Sequence, residues 1–568
     1  ALYILGIGGY TLDAAASLVK DGELIAAVEE ERFTRKKHEG GMPYKAIDYC
    51  LKEANITLKD IDHIGFSYKP WLRISKRIPY RILKIPKAPF YSLGYIVDEI
   101  NSTGLYLSEL KQLKQNEKTK IHFIEHHLAH AASVFLTSPF EESAILTLDY
   151  MGEWTSTLMG KGTGSQIEKI KEIKFPHSLG ILYAAVTKYL GFQHGNDEYK
   201  VMGLASYGKP AYIDIFKDMV KLLPDGGYRM NPDYFTYWAS AGSREGFMSR
   251  KFIDACGPIR IKDQEIEERH MDIAASLQKI LEDTTLHIAD YLYKKTGEKN
   301  LCIAGGVGLN CSMNYRLLKD SPFESVFVQP SAHDAGTSLG AAYYIYNTIL
   351  KKNRNFVMRH AYWGPEYSNE EIKAELDLDK LKYTHHQDIA KKCAELINDG
   401  KIIGWFQGRA EWGPRALGNR SILANATRDD MQDIVNKYVK HREDFRPFAP
   451  AVLKESSGDF FDFDQESPFM LFICDVKPEK RKLIPAVTHT DGTARVQTVD
   501  SQYNKLFYNV IKNFGDISGI PIVLNTSFNV AGEPVVTTPK EAIRCFFSTG
   551  IDCLIMGNYL IEKDDSIT

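Results

Sequence analysis

The sequence has little cysteine, and the cysteine it has shows no pairing pattern. Eight cysteines are scattered over 568 residues, and none belongs to a C-x-x-C motif. This spacing excludes a zinc knuckle and a disulfide-stapled scaffold, and it is typical of a chain that works in a reducing compartment.

An excess of charge of one sign is also missing. The 70 Lys and Arg residues face 73 Asp and Glu residues, for a formal net charge of −3. The overall charge therefore does not favour binding to nucleic acid or to an anionic membrane. The chain lacks an apolar run of the roughly 18 residues that a membrane span needs, and its first residues show no signal-peptide pattern. We expect a cytoplasmic enzyme without a nucleic-acid or membrane partner.

The chain is long enough for several hydrophobic cores, and its first part repeats one order of predicted elements. Each half is predicted to run strand, strand, strand, helix, strand, helix, strand, helix. The strands that open the two halves are predicted at 2–8, 14–19 and 23–28 and at 144–149, 154–160 and 167–175. Asp21-Gly22 is a strong hairpin signal between two of them. This order predicts a duplicated α/β domain over 1–360, with an insertion near 180–265.

A polar stretch follows and predicts a connector over 361–385. A helix predicted at 389–399 and a strand at 401–406 then open a separate α/β domain, which we place at 386–568.

Two histidines have the spacing of a metal-binding pair. His126 and His130 are four residues apart, which places both imidazoles on one face of a helix. Asp149 ends an apolar strand, and Asp334 precedes a predicted helix. Two His and two Asp suit Fe(II), Mn(II) or Zn(II) better than Mg(II) alone. Two ordinary histidines are the alternative.

A glycine-rich turn joins a predicted strand to a helix. Gly305 and Gly306 open this turn, and the free N–H groups of a helix N-terminus bind phosphate. Asn310 and Asn314 can then reach a ribose or a phosphate. A tight turn that needs glycine, followed by asparagine as a helix cap, is the alternative.

The second domain concentrates cationic side chains among Gly, Pro and aromatic residues. A fork of guanidinium groups is what a phosphate or an acyl phosphate requires. Internal ion pairs with Glu411 and Glu443 are the alternative for some of these cations. The candidate anion ligands are Arg415, Arg420, Lys440 and Arg446.

Two polar clusters flank strand-like runs in the same domain. They favour the mouth of a ligand site, although turns alone also explain them. Their candidate ligands are Thr493, Arg495, Asn525 and Ser527.

Taken together, these segments resemble the ATP-dependent O-carbamoyltransferases of the nodulation-factor and antibiotic type. The resemblance extends over nearly the whole chain and rests on nine segments in the family's order. They lie at 29–38, 126–130, 149–154, 198–205, 305–310, 404–409, 413–418, 445–450 and 524–529.

The resemblance implies a duplicated actin/Hsp70-like N-terminal domain and a YrdC-like C-terminal domain. It implies that carbamoyl phosphate and ATP, with Mg(II), give carbamoyl-adenylate in the C-terminal domain. The N-terminal domain would then transfer the carbamoyl group to the hydroxyl of a small-molecule acceptor. A homodimer is also compatible with the family.

The resemblance further implies roles for individual residues. His126, His130, Asp149 and Asp334 match the family's metal ligands, with iron as the implied ion. The residues expected along the nucleotide are Gly305, Gly306, Asn310, Asn314, Thr493, Arg495, Asn525 and Ser527. Arg415, Arg420, Lys440 and Arg446 are expected at carbamoyl phosphate, with all but Arg420 also assigned to catalysis. Asp13 is the expected general base.

The chain departs from its relatives at one point of the acceptor site. Relatives commonly have His-Asp where this chain has Leu12-Asp13, which bears on proton handling or on the identity of the acceptor. The basic stretch 69–89 matches no family motif. Two alternatives are a threonylcarbamoyl-type transferase acting on tRNA and a nucleotide-gated binding protein without catalysis.

Overall fold

A computed structural model describes residues 1–72, 74–84, 89–237 and 247–563 of the chain. Contacts divide the chain into two compact units of mixed α/β structure. The first unit comprises Ala1–Ala26 and Gly40–Val357, and the second comprises Ala27–Glu39 and the chain from Met358 onward. No helix among the described residues is both long and apolar enough to cross a membrane.

Twelve strands and twelve α-helices precede Val357 in the described residues. The strands are β1 (Tyr3–Gly8), β2 (Ala15–Lys20), β3 (Glu23–Glu29), β4 (His63–Phe66), β5 (Lys120–Phe123), β6 (Glu142–Leu148), β7 (Thr155–Thr163), β8 (Gln166–Lys174), β9 (Val220–Leu222), β10 (Tyr228–Met230), β11 (Asn300–Ala304) and β12 (Ser325–Val328). The helices are α1 (Glu31–Thr34), α2 (Tyr44–Glu53), α3 (Ile74–Lys84), α4 (Pro89–Leu113), α5 (His126–Phe135), α6 (Leu179–Tyr189), α7 (Glu198–Ala205), α8 (Ile213–Met219), α9 (Arg250–Cys256), α10 (Glu268–Thr296), α11 (Cys311–Asp320) and α12 (Gly336–Tyr343).

The two main sheets of this part have the same strand order. One sheet runs β3-β2-β1-β4-β5, and the other runs β8-β7-β6-β11-β12. In both, the first strand of the repeat pairs antiparallel with the second and parallel with the fourth. The predicted repeat of element order is therefore present as two sheets of equal topology.

The hairpin between β2 and β3 turns where the sequence predicts it. Asp21 and Gly22 have φ angles of 49° and 93°, the left-handed values that a two-residue hairpin of this type requires.

Helix α12 packs closely against both β1 and α5. A Cβ atom on Gly6 of β1 would lie 1.9 Å from the carbonyl oxygen of Ser338. On the other side, a Cβ atom on Gly340 would lie 1.8 Å from the carbonyl oxygen of Ala129. The absence of side chains at both contacts lets α12 approach the sheet and α5 at backbone distance.

The second unit is built on a mixed sheet of eight strands in the order β13-β23-β22-β14-β15-β21-β16-β20, with β17, β18 and β19 in a smaller sheet. Helices α14 and α17 cover one face with a core of aliphatic and aromatic side chains. The strands are β13 (Thr384–His385), β14 (Ile403–Phe406), β15 (Arg420–Asn425), β16 (Ala449–Leu453), β17 (Phe461–Asp462), β18 (Ile473–Val476), β19 (Thr493–Arg495), β20 (Gln497–Val499), β21 (Ile522–Ser527), β22 (Cys553–Met556) and β23 (Tyr559–Glu562). The helices are α13 (Asn369–Leu378), α14 (Ile389–Asn398), α15 (Met431–Ile434), α16 (Ser457–Phe460), α17 (Lys505–Ser518) and α18 (Pro539–Phe547).

The unit boundaries differ from the predicted division at 360 and 385. The segment Ala27–Glu39 groups with the second unit, where the Ala27 N–H donates to the Trp363 carbonyl at 3.2 Å. The predicted connector 361–385 also belongs to that unit, because it contains α13 and pairs with Glu411 through Tyr362. Residues 73 and 85–88 of the basic stretch 69–89 lie outside the described residues.

Candidate functional site

The four predicted metal ligands converge in the first unit. His126 and His130 project from the first turns of α5, Asp149 follows β6, and Asp334 precedes α12. The two Nε2 atoms are 3.1 Å apart, and the Asp149 Oδ2 atom lies 3.0 Å from the His126 Nε2 atom. The Asp334 Oδ1 atom is 3.5 Å from each Nε2 atom. Residues more than 200 positions apart thus present two nitrogens and two oxygens to one point.

This donor set fits a divalent transition metal. One ligand atom from each residue lies within 4.8 Å of all the others. Bonds of about 2.1 Å place neighbouring ligand atoms roughly 3–3.5 Å apart, which is the range of the closest separations here. A cation between two imidazole nitrogens and two carboxylates would satisfy all four groups at once.

The two imidazoles have opposite pKa shifts although they share a helix face. Burial disfavours a charged imidazole, but Asp334 and Asp149 outweigh it and raise the pKa of His126 well above its ordinary value. Burial dominates at His130 and lowers its pKa. The 3.1 Å contact between the two Nε2 atoms holds one proton, which one imidazole donates and the other accepts.

Two contacts that the sequence does not reveal hold these ligands in place. The Glu153 carboxylate accepts the His126 N–H at 3.1 Å and the Lys69 N–H at 2.7 Å. The Gly306 N–H donates to the Asp149 Oδ1 atom at 3.0 Å. Glu153 belongs to a segment that resembles the family, but its partners are distant in sequence.

The asparagines after the glycine turn bond within the protein. The Asn310 side chain accepts the Met313 N–H at 2.9 Å as the cap of α11. The Asn314 amide donates to the Gly308 carbonyl at 2.8 Å, and its side chain is fully buried. Helix capping, the alternative considered for these residues, accounts for the Asn310 contact, whereas Gly305 and Gly306 form the turn itself, with a φ angle of 90° at Gly305.

Asp13 lies in the turn after β1, with a φ angle of 59° and a buried side chain. The end of β1 is close to the loop that carries Asp334. A Cβ atom on Gly8 would lie 2.4 Å from the Thr337 Oγ1 atom, and this hydroxyl donates to the Asp334 carbonyl at 2.6 Å.

In the second unit, Lys440 is buried among oxygen atoms. Its ammonium group donates to the Ser527 carbonyl, to the Asn529 carbonyl at 3.0 Å and to the Asn529 Oδ1 atom at 2.8 Å. The Ser527 Oγ atom lies 3.2 Å away. The structure brings the predicted Lys440 and Ser527 together and adds Asn529.

Arg446 lies beside this lysine. The Asn436 amide holds the Arg446 carbonyl at 3.0 Å, and Asn436 and Lys440 lie four residues apart in one helical turn segment. Burial lowers the pKa of Lys440 well below its ordinary value, and Arg442 and Arg446 lower it further. The surroundings of Lys440 therefore disfavour its positive charge.

Strand β21 contacts both Lys440 and Ala416, the residue that follows Arg415. Asn525 and Ser527, two residues apart, face the same side of the strand. The Asn525 amide donates to the Gln497 Oε1 atom at 2.8 Å and to the Ala416 carbonyl at 3.3 Å. Among the described residues, the buried Asn525 Oδ1 atom and the buried Arg415 Nε atom have no hydrogen-bond partner. One face of β21 therefore joins the Lys440 contact to the backbone next to Arg415.

Arg420 differs from its prediction as a carbamoyl phosphate ligand. Its side chain is fully buried, and its terminal nitrogens donate to the carbonyls of Gly408 at 3.1 Å and of Pro365 at 3.1 Å. The Glu411 carboxylate, the predicted ion-pair partner, instead accepts the N–H groups of Leu417 and Asn419. Backbone carbonyls explain this arginine, so we assign it a structural role.

Thr493 and Arg495 lie on β19 in the smaller sheet. The Thr493 hydroxyl donates to the Asp491 Oδ1 atom at 2.7 Å and lies 3.0 Å from the His489 Nδ1 atom. The other ring nitrogen of His489 is buried and has no hydrogen-bond partner in the described part of the chain, and burial lowers the pKa of His489 to about 4.

The segment Ala27–Glu39 clamps the loop before Arg415. Gly413 donates its N–H to the Glu29 Oε1 atom at 2.9 Å and accepts from the Arg32 Nη2 atom at 2.8 Å. The two side chains also contact each other, with 3.3 Å between the Arg32 Nε and Glu29 Oε2 atoms. Residues 29–38 resemble a family motif, but the sequence does not indicate their contacts with Gly413.

Comparison with known proteins gives matches over both units. The family model described as carbamoyltransferase N-terminus matches residues 3–343, and the model described as carbamoyltransferase C-terminus matches residues 394–563.

Similar proteins cover almost the whole chain. An uncharacterized protein, sll1178, of Synechocystis sp. is 41% identical over 99% of this chain and 97% of that protein. Nodulation protein NolNO of Sinorhizobium fredii is 40% identical over 97% of this chain and 79% of that protein. Among solved structures, component A of (R)-2-hydroxyglutaryl-CoA dehydratase from Acidaminococcus fermentans is 14% identical, with a TM-score of 0.32, over 61% of this chain and 97% of that chain. The sequence matches decide the assignment: the chain belongs to the carbamoyltransferase family and is a carbamoyl-transferring enzyme.

Proposed function

We propose that the chain makes carbamoyl-adenylate from carbamoyl phosphate and ATP in its second unit and transfers the carbamoyl group to the hydroxyl of a small-molecule acceptor in its first unit. We propose the actin/Hsp70-like and YrdC-like folds for the two units, in line with the repeated strand order of the first. The proposal rests on the contacts along β21. The buried Lys440 ammonium lies against Ser527, and Asn525, two residues earlier on the same strand, donates to the carbonyl of Ala416, the residue that follows Arg415.

The second unit is suited to an anionic substrate. A phosphate near Lys440 and Arg446 would compensate the charge of Lys440, which burial makes costly. Arg415 supplies a third guanidinium or ammonium group, and its buried Nε atom has no hydrogen-bond partner within the residues that the structure describes. We propose that these three cations bind carbamoyl phosphate, and that Asn525 and Ser527 with Thr493 and Arg495 border the nucleotide, which brings Mg(II).

The chemistry can be written as balanced steps. Water cleaves carbamoyl phosphate to carbamate and phosphate. A carbamate oxygen then attacks the α-phosphorus of ATP, the bond to the β-phosphate oxygen breaks, and pyrophosphate leaves. Cations at the leaving phosphate stabilise the charge that develops there.

The first unit is suited to the transfer step. We propose that the acceptor oxygen attacks the carbamoyl carbon, its proton passes to Asp13, and AMP leaves. His126, His130, Asp149 and Asp334 would hold a divalent ion, which we propose to be Fe(II), with Mn(II) and Zn(II) as alternatives. When bound, such an ion supplies Lewis-acid chemistry for the adenylate. The turn at Gly305 and Gly306 places N–H groups on the same side of the sheet as Asp149.

Pyrophosphate release tests the first half. It should require both ATP and carbamoyl phosphate, and Arg415→Ala should abolish it. Arg428→Ala is the matched control, because Arg428 forms an exposed ion pair with Asp430. Pyrophosphate release that does not depend on carbamoyl phosphate, or that Arg415→Ala retains at the wild-type rate, would contradict the proposal. Either result would favour a reaction of ATP that does not involve carbamoyl phosphate at Arg415.

The second half is tested at Asp13. Asn keeps the size of Asp and tolerates its positive φ angle, so Asp13→Asn should slow acceptor carbamoylation and leave pyrophosphate release at the wild-type rate. Transfer is measured as the mass gain of one carbamoyl group over a panel of hydroxylated metabolites. Equal transfer by both forms would remove Asp13 from the mechanism.

A further inference from the structure

A closed loop follows strand β21 in the second unit. The Val536 N–H donates to the Phe528 carbonyl at 2.9 Å and so closes residues 528–536 into a loop. Inside this loop, the Asn529 amide donates to the Glu533 carbonyl at 2.7 Å. Because this bond ties Asn529 to the later half of the loop, the position of the Asn529 side chain depends on how that half is held.

Asn529 is the residue through which this loop contacts Lys440. Its Oδ1 atom accepts from the Lys440 ammonium at 2.8 Å and from the Ser527 hydroxyl at 2.7 Å, and its carbonyl accepts from the ammonium at 3.0 Å. Lys440 is only 2% exposed. A buried ammonium group depends on such oxygen atoms, since an unpaired charge is costly there. A shift of Asn529 would therefore also shift the Lys440 ammonium.

The later half of the loop is held by Arg35. The two terminal nitrogens of this side chain donate to the Pro534 carbonyl at 2.7 Å and to the Val535 carbonyl at 2.8 Å. The guanidinium also lies 3.4 Å from the Glu541 carboxylate. Two donors in one rigid plane are a property of arginine that lysine lacks, so this contact fixes the backbone at two consecutive residues.

Arg35 shares its short segment with Arg32. Arg32 lies in α1, and Arg35 is the residue that follows this helix. Arg32 donates to the Gly413 carbonyl at 2.8 Å, two residues before Arg415. One turn of helix therefore contacts two parts of the second unit that are remote from each other in sequence, the loop before Arg415 and the loop 528–536.

We propose that Arg35 is a positioning residue of the second unit, which acts on Lys440 through the loop 528–536. The inference rests on the proposed function, in which Lys440 and Arg415 bind carbamoyl phosphate. Arg32 and Arg35 would then fix the two cations from one turn of helix, each through backbone atoms of a different loop. Because Arg35 acts through other residues, its loss should weaken substrate binding more than it slows the reaction.

The kinetics of pyrophosphate release test this proposal. Arg35→Ala removes both carbonyl contacts, and loss of charged hydrogen bonds predicts a rise of about tenfold in KM for carbamoyl phosphate, with a smaller change in kcat. Arg35→Lys keeps the charge near Glu541 but lacks the fork, so its KM should lie between the two. Both substitutions keep a Cβ atom, so the φ angle of 63° at this position adds no new strain. Lys36→Ala, at an exposed ion pair in the same segment, should change neither constant.

A double-mutant cycle identifies the residue through which Arg35 acts. Asn529→Ala should itself raise KM for carbamoyl phosphate. Adding Arg35→Ala to it should raise KM by less than about twofold more, because the two substitutions disrupt the same chain of contacts. Arg32→Lys disrupts the contact with Gly413 instead, so its effect on KM should multiply with the effect of Arg35→Ala.

The outcomes separate this inference from the function on which it rests. If wild-type protein releases no pyrophosphate in dependence on carbamoyl phosphate, the proposed function is overturned and the inference with it. If the wild type does so, an unchanged KM in Arg35→Ala, or an effect that multiplies fully with that of Asn529→Ala, overturns the inference alone. Should Arg35→Ala fail to fold, Arg35→Lys takes its place in the cycle, and an unchanged KM in that variant overturns the inference as well.

Discussion

At the scale of single residues, the groups that surround a side chain determine its pKa and its role more than its residue type does. His126 and His130 are neighbours on α5, yet two aspartates raise the pKa of one and burial lowers the pKa of the other. Arg420 lies in the same arginine-rich segment as Arg415, yet backbone carbonyls occupy its terminal nitrogens. Substitutions at such pairs therefore separate ligand binding from folding.

His130→Ala should remove the metal without removing adenylate formation. The variant loses one of four converging ligands, so we expect metal content per chain to fall by more than about tenfold, with loss of carbamoyl transfer and unchanged pyrophosphate release. Elemental analysis of the purified protein measures the first and the two assays above measure the others. His194→Ala, at an exposed histidine, is the control. Full metal content in His130→Ala would refute the ligand assignment.

The part of the site that local signals specify could be predicted from the sequence. The spacing of His126 and His130 and the Asp21-Gly22 turn are local patterns, and the structure shows the expected geometry for both. Arg420 and Glu411 could not be assigned, because their partners are backbone groups that the fold brings near. The same holds for Glu153, whose two N–H donors lie in segments remote from it.

At the scale of elements, close backbone approach positions the metal ligands. Helix α12 follows the turn that holds Asp334, and Gly340 lets it meet α5, which carries both histidines. Segment Ala27–Glu39 does similar work in the second unit, where Glu29 and Arg32 bind both backbone groups of Gly413.

Gly340→Ala should therefore destabilise the first unit. The new methyl group would meet the Ala129 carbonyl, and overpacking of this kind costs about 1–3 kcal/mol, seen as a lower midpoint of urea unfolding. Gly104→Ala in α4 is the control, since a Cβ atom there meets nothing within 4 Å, and Ala in a helix interior is neutral or stabilising by about 0.5–1 kcal/mol. An unchanged midpoint in Gly340→Ala would show that α12 can move away from α5.

Arg32→Lys tests the clamp on Gly413, given the proposed function. Lysine keeps the charge but lacks the fork that bonds Gly413 and Glu29 together. Loss of a charged hydrogen bond predicts a rise of about tenfold in KM for carbamoyl phosphate during pyrophosphate release, with a smaller change in kcat. Lys36→Ala, at an exposed ion pair with Glu39, should change neither constant. A fall in kcat with an unchanged KM would argue against the view that Arg32 positions Arg415 through Gly413.

At the scale of the whole molecule, composition averages over features that matter locally. The net charge of −3 conceals a stretch of 29 residues, 69–97, with seven cations and no anion. In the same way, the two proposed half-reactions use residues of different units, and a mixed anhydride of carbamate is short-lived in water. The two proposed half-reactions therefore have to be tested on the intact chain.

Mixing two inactive variants distinguishes transfer within one chain from release into solution. Arg415→Ala lacks the first half-reaction and His130→Ala the second. If each chain keeps its own adenylate, an equimolar mixture should carbamoylate the acceptor no faster than either variant alone, because water destroys a released intermediate. Rapid carbamoylation by the mixture would show that the intermediate diffuses freely between molecules.

The assignment of Ala27–Glu39 to the second unit has a practical consequence for anyone who wishes to dissect the enzyme. A cut near Met358 would separate the later polypeptide from thirteen residues that complete it, and Gly413 would lose both of its side-chain partners. An autonomous C-terminal fragment would need that short piece grafted back through an artificial loop. Recombination that joins this half to another protein end to end faces the same obstacle, so the two halves are expected to be inherited together.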